Sequence, residues 1–171
     1  MRKTRFIAVL LAATVLLFTM HSCNDDEDPN PEFIADDETF ENFMTWVVEA
    51  ENQGPDPALG EAHGGNDETV TRTVYVKNGQ DRVEGEFPVG TLIVKHSNNP
   101  DNSVNEFTAM VKRGNDFNTS GGDWEWFMLN PDGTIATDPS SGNKMRGANL
   151  MNGMCLSCHS AAASDDYVFS K

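Results

Sequence analysis

The chain has 171 residues, with 12 Lys and Arg against 27 Asp and Glu, a formal charge of −15. That sign argues against binding to nucleic acid phosphates, which needs the opposite charge. It argues equally against electrostatic adhesion to anionic lipid, and the length suits one ordinary domain.

The first residues do not read as part of that domain. Arg2, Lys3 and Arg5 precede an apolar run from Phe6 to Phe18, too short to span a bilayer as a stable anchor. The run stops at Thr19-Met20-His21-Ser22-Cys23, a cysteine behind a small residue, which resembles the lipobox of bacterial lipoproteins, although Met20 and His21 fit it loosely. Residues 1–22 are therefore expected to be a lipoprotein signal peptide, with Cys23 the lipidated N-terminus. The alternative is a plain secretory signal cut elsewhere, leaving Cys23 a spare thiol. Cleavage before Cys23 removes three positive and no negative charges, leaving 9 Lys and Arg against 27 Asp and Glu, a formal −18. Attachment to the membrane would then rest on acyl chains, in the bacterial periplasm or at the cell surface. Residues 23–38 carry the run Asn24-Asp25-Asp26-Glu27-Asp28 and then Pro29 and Pro31, and read as a solvated acidic tether.

Residues 39–171 remain for the domain. Asp36 or Asp37 can cap a helix running to about Glu51, because Phe40, Phe43, Met44, Val47 and Val48 recur at three- and four-residue spacing. Gly54-Pro55-Asp56-Pro57 ends it, and a Gly-rich loop with His63 follows. The period then changes to two. Thr69 to Val76, Thr91 to Lys95, Phe107 to Lys112 and Asp123 to Leu129 read as four strands, with a short fifth at Thr134 to Ala136. Residues 144–163 lack alternation and predict a helix. The expected fold is α+β, mainly β: an antiparallel meander of four to five strands, an N-terminal helix and a C-terminal helix.

That last helix carries Cys155-Leu156-Ser157-Cys158-His159. C-x-x-C-H is the attachment signature of a c-type haem. Cys155 and Cys158 would add across the two vinyl groups, and His159 would place an imidazole nitrogen on the iron. Half of a zinc site or a redox dithiol are the alternatives. Zinc would need further Cys or His ligands at suitable spacing, and none is nearby. A redox dithiol would be expected to open a helix after a strand and needs no following His. The chain has three Cys, two here and Cys23, with none left for a disulfide. A haem c is attached outside the bacterial cytoplasm, which agrees with the export signal.

The order of Arg72-Thr73-Val74-Tyr75-Val76, Gly85 to Lys95 (G-E-F-P-V-G-T-L-I-V-K), Gly121 to Leu129 (G-G-D-W-E-W-F-M-L), C-x-x-C-H and Asp166-Tyr167-Val168-Phe169 resembles the cytochrome P-460 family. The resemblance covers most of residues 39–171 and implies one covalently attached haem c on a mainly β fold. Cytochromes P-460 oxidise hydroxylamine and carry an extra covalent link from a lysine to the porphyrin. Their relatives the cytochromes c′-beta lack the link and bind nitric oxide. Lys95 ends Thr91-Leu92-Ile93-Val94-Lys95 where the family's linking lysine stands, and would share a face with Thr91 and Ile93. A lysine marking a solvated strand end is the alternative.

The resemblance also implies an open distal side on the iron. Phe87, Phe107, Met110 and Trp126 are candidate walls, though such residues on strands are more often core. His63 and His96 are candidate sixth ligands, each more readily read as a loop or surface histidine. Hydroxylamine oxidation needs a nearby proton acceptor, and residues 142–154 contain no Asp or Glu. Glu106 and Asp123 lie in or beside strands that sequence cannot place. Expected partners are a small nitrogen-oxide ligand or substrate and, for a catalyst, a redox protein; a homodimer is compatible with the resemblance. Simple electron transfer through a filled sixth position is a further reading.

Overall fold

The computed structural model describes residues 31–169. The signal peptide, Cys23 and the start of the acidic tether lie outside the described residues. Six strands form one antiparallel sheet in the order β1 to β6. They are β1 (Val47–Gln53), β2 (Thr71–Val76), β3 (Leu92–Asn98), β4 (Asn105–Lys112), β5 (Trp124–Met128) and β6 (Arg146–Gly147). One short helix follows, α1 (Met154–His159), flanked by 3-10 turns at Leu150–Gly153 and Ser160–Asp165. Among the described residues no helix is long and apolar enough to cross a membrane.

The mainly β meander is as the alternation predicts. The N-terminal helix is not there. Its apolar spacing belongs to two different structures. Asp36 and Thr39 close a turn on each other through Thr39 Oγ1, which accepts from the Asp36 N–H and donates to Asp36 Oδ1, both at 2.8 Å. Asn42 then takes a left-handed φ of 55°, which a helix does not continue through. Phe40 and Phe43 are buried as plugs against the sheet, while Val47 and Val48 stay half exposed on an edge strand. That strand pairs with β2 from Val47↔Val76 to Gln53↔Thr71, with a bulge between Val48 and Ala50. Pairing the outer backbone groups of β2 outweighs the local helical spacing.

Other boundaries shift as well. The expected strand at Thr134–Ala136 is only an isolated bridge, Leu129↔Ile135, and Arg146–Gly147 takes the place beside β5. The long helix expected over 144–163 shrinks to six residues, because Met151, Asn152 and Gly153 all adopt positive φ. The segment from Glu32 to Asp37, read as tether, is docked. Glu32 pairs with Arg113 at 2.8 Å, the Ala35 carbonyl accepts from Arg146 at 2.6 Å, and Asp37 pairs with Lys144 at 2.7 Å.

Period-two alternation gives the sheet two unlike faces. One carries Leu92, Val94, Phe107, Ala109, Val111, Phe127 and Leu129, closed by Ala35, Phe40, Phe43 and Ile135 into a single apolar core. Phe40 meets Phe127 edge to face at 5.2 Å. The other face carries Val76, Ile93, Met110, Trp124 and Trp126, packed by Phe87 and Val168 at one end only. At the remaining end the strands line a cavity.

Candidate haem site

The cavity has a volume of about 290 Å³. Its floor is the second face of the sheet: Ala50 and Asn52 from β1, Arg72 and Val74 from β2, Ile93 and Lys95 from β3, Glu106, Thr108 and Met110 from β4, Trp126 and Met128 from β5. One wall is the loop carrying Asp56, Leu59, Ala62 and His63, and the opposite wall is the C-terminal segment with Met154, Cys155, Cys158 and His159. The four domain residues singled out from sequence, Lys95, Cys155, Cys158 and His159, thus line one cavity.

His159 is prepared as a ligand. Its Nδ1–H donates to the main-chain carbonyl of Tyr167 at 2.7 Å. A carbonyl only accepts, so the proton sits on Nδ1 and the lone pair on Nε2 is left for a metal. Burial lowers the pKa to about 4, with the charges of Lys95 and His63 adding to the effect against the Tyr167 hydrogen bond. The ring is therefore neutral near pH 7. It is wedged between Trp126, at 4.6 Å between centroids, and Phe169, at 5.3 Å.

Cys155 is half-buried, and that burial raises its pKa, so it is held as a thiol rather than a reactive thiolate. This is the opposite of what a redox dithiol requires. Among the described residues no three His, Cys, Asp or Glu side chains converge on a metal ion, which disfavours zinc. Two thiols, a neutral imidazole with a free Nε2 and a large apolar recess are a donor set that fits a haem. Trp126 adds to the fit: among the described residues its Nε1–H, buried in the floor of that recess, has no acceptor, a donor awaiting a polar atom.

Lys95 sits mid-strand, paired to Val74 and Thr108, and not at a solvated strand end. Burial lowers the pKa of its amine; the nearby Arg72 charge does the same, against Glu106 and Asp56. Arg72, 4% exposed, reaches under the loop and donates to the carbonyls of Gly54 and Gly64. Among the described residues no carboxylate forms an ion pair with it. It staples both ends of the loop to the sheet.

Glu106 is the residue that sequence reasoning left unplaced. It stands opposite Ser97, diagonal to Lys95 on the same face. His63 donates through Nδ1 to Glu106 Oε2 at 3.3 Å, across the cavity from loop to sheet. Burial pushes the Glu106 pKa up, but the His63 hydrogen bond and the charges of His63 and Lys95 outweigh it, so the net shift is downward. His63 adopts φ 55°, a left-handed backbone that aims its ring inward. No local signal announces this pair, whose members lie 43 residues apart.

The remaining candidates divide. Met110 and Trp126 line the cavity, Phe87 packs beneath it on Trp124, and Phe107 belongs to the other face. His96 also points away, stacked on Phe107 at 4.2 Å with Nε2–H donating to Asn105 Oδ1 at 2.9 Å. Asp123 accepts from the Asn118 N–H in a turn and takes no part in the cavity.

The family model for cytochrome P-460 matches residues 40–170. No curated protein and no solved structure matches the chain. With the family match covering most of the chain and the cavity fitting the group, the chain belongs to the cytochrome P-460 family, and its cofactor is a haem.

Proposed function

We propose that this is an exported haem c oxidoreductase acting on hydroxylamine, with nitric oxide as the alternative ligand or substrate. The observation that carries the reading is Glu106, a hydrogen-bonded carboxylate inside the cavity that holds Lys95 and the C-x-x-C-H residues. When bound, the haem supplies the iron that takes electrons from the substrate nitrogen. Every other requirement falls to the chain.

Cys155 and Cys158 would hold the group through two thioethers, and His159 would offer Nε2 to its iron. Glu106 is placed to accept a proton from the N–H or O–H of the substrate: its lowered pKa keeps the carboxylate ionised, and its place in the cavity rather than its basicity suits it to the role. His63 holds the carboxylate in place and keeps it charged. Lys95, with its pKa lowered by burial, has access to the neutral amine that would attack a porphyrin edge carbon once peroxide has activated the ring; peroxide would take up the two electrons released as C–H is replaced by C–N. Met110, Trp126 and Ile93 limit water near the reacting atoms.

Export and lipidation at Cys23 belong to the same reading, as does a redox protein that removes the electrons. Radiolabelled palmitate should enter the wild-type chain and not Cys23→Ala. The central test is the absorption spectrum of the matured domain, with turnover of hydroxylamine against an artificial one-electron acceptor. A strongly red-shifted ferrous Soret band with turnover supports the proposal. An ordinary high-spin c-type spectrum that binds nitric oxide without turnover replaces it with gas binding. Sharp low-spin visible bands would mean a sixth ligand and electron transfer. Peptide mass spectrometry decides the link itself: a Lys95 peptide released free of haem removes it.

A further inference from the structure

A buried ion pair lies beside the cavity and has no part in the chemistry above. Lys112 on β4 donates to both carboxylate oxygens of Asp166, at 2.7 and 2.9 Å. The two side chains are only 8% and 4% exposed. The Asp166 carboxylate also accepts the main-chain N–H of Phe87 at 2.8 Å, and its carbonyl accepts Trp124 Nε1–H at 2.8 Å. Trp124 is fully buried, so this end of the network is fixed in the packed part of the sheet.

Asp166 and Tyr167 have φ of 53° and 62°, two left-handed residues in succession, neither of them glycine. Such a turn is strained for ordinary side chains, less so for Asp, and needs outside contacts to persist. The contacts are present. The Tyr167 N–H donates to Ala162 O at 2.8 Å, and its hydroxyl donates to Ser120 O at 2.9 Å. Its ring lies against Gly122, where a Cβ would come within 2.8 Å. The product of the turn is one carbonyl, that of Tyr167, placed 2.7 Å from His159 Nδ1.

A buried ion pair is a weak stabiliser, because the desolvation of two charges offsets most of their attraction. Its value here is positional. We propose that Asp166, with Lys112 as its counter-ion, is a positioning residue for His159: it anchors the turn that presses the Tyr167 carbonyl onto Nδ1–H. The inference rests on the reading that His159 ligates the haem iron. A firm Nδ1–H···O bond fixes the ring and makes Nε2 more basic, and outer-shell partners of metal-bound histidines commonly alter the site by 10–100-fold. A more basic ligand favours the oxidised metal, so loosening the bond should raise the reduction potential.

The test uses Asp166→Asn, which tolerates the left-handed backbone, and the double variant Lys112→Met/Asp166→Asn, which removes both charges. Two quantities are measured: exchange of the His159 Nδ1 proton by NMR and the reduction potential of the haem-loaded protein. In the single variant, exchange should quicken about tenfold and the potential should rise by about 59 mV, the one-electron equivalent of tenfold. The double variant should regain the thermal stability lost by the single one, while both shifts persist. Parent values of exchange and potential in the double variant would overturn the proposal and leave the pair merely structural; where the single variant fails to fold, the double variant decides alone. Proton exchange is read without reference to the iron. A parent spectrum lacking a histidine ligand would therefore end the functional reading while the hold of Asp166 on His159 is still judged.

Discussion

Strands β3, β4 and β5 bury Leu92, Val94, Phe107, Val111 and Phe127 on one side of the sheet and present Ile93, Lys95, Glu106, Met110 and Trp126 on the other. The first face is filled by its own chain, with Phe40 and Phe43 inserted from the N-terminal turn. The second is filled only in part, and the cavity over its open region gathers an amine, a guanidinium, two carboxylates and two imidazoles around an apolar recess. The difference teaches a division of labour: one face supplies the free energy that allows the other to hold buried ionisable groups unpacked. Substitutions on the two faces should therefore separate stability from chemistry.

The largest effect is expected on the filled face. Phe40→Ala removes a fully buried ring that meets Phe127 edge to face, and should lower stability by about 3–5 kcal/mol in urea unfolding. The haem spectrum of its folded fraction should stay as in the parent; a changed spectrum would break the separation. On the open face, Glu106→Gln should lower kcat/KM for hydroxylamine about 100-fold, while stability moves by no more than about 1 kcal/mol. Unchanged turnover would remove Glu106 from the mechanism.

A smaller effect sharpens the same point. The Glu106 pKa is lowered in the folded protein, so the stabilisation from its ionised form is present above the ordinary carboxylate pKa and is lost as pH falls through the folded value. The acid limb of kcat/KM should follow, falling only below the usual carboxylate range. His63→Gln removes the imidazole charge that helps lower this pKa, so that limb should move to higher pH. A limb that stays put would show that His63 does not govern the carboxylate. The smallest effect is expected for His96→Ala, one residue from Lys95 but on the filled face. It should cost about 0.5–1.5 kcal/mol through the lost stacking on Phe107 and leave spectrum and turnover unchanged.

Much of this division is legible in the sequence, for a physical reason. Alternation over Thr91 to Lys95 assigns Lys95 to the face of Ile93 and His96 to the other, because side chains on a strand have a period of two whatever surrounds them. The Cys155 to His159 spacing is equally local. What could not be read is what depends on distant pairing. Phe40, Phe43, Val47 and Val48 fit a helix by spacing, yet the unpaired edge of β2 draws Val47–Gln53 into the sheet. Glu106 becomes a cavity residue only once the register with β3 is set and the loop delivers His63. The left-handed turn at Asp166 and Tyr167 has no glycine to announce it.

The sheet order β1 to β6 has a consequence for how the molecule assembles. Each strand pairs with its neighbour in sequence, so the sheet closes in short steps with little loop entropy to overcome. Nothing in the pairing from Val47 to Gly147 draws on the segment that follows. Six residues are too few to stay helical alone, so α1 orders only on docking. The strand register that sets Lys95, Glu106 and Trp126 is complete without Cys155 and Cys158, whose short helix depends on docking against that sheet for its order.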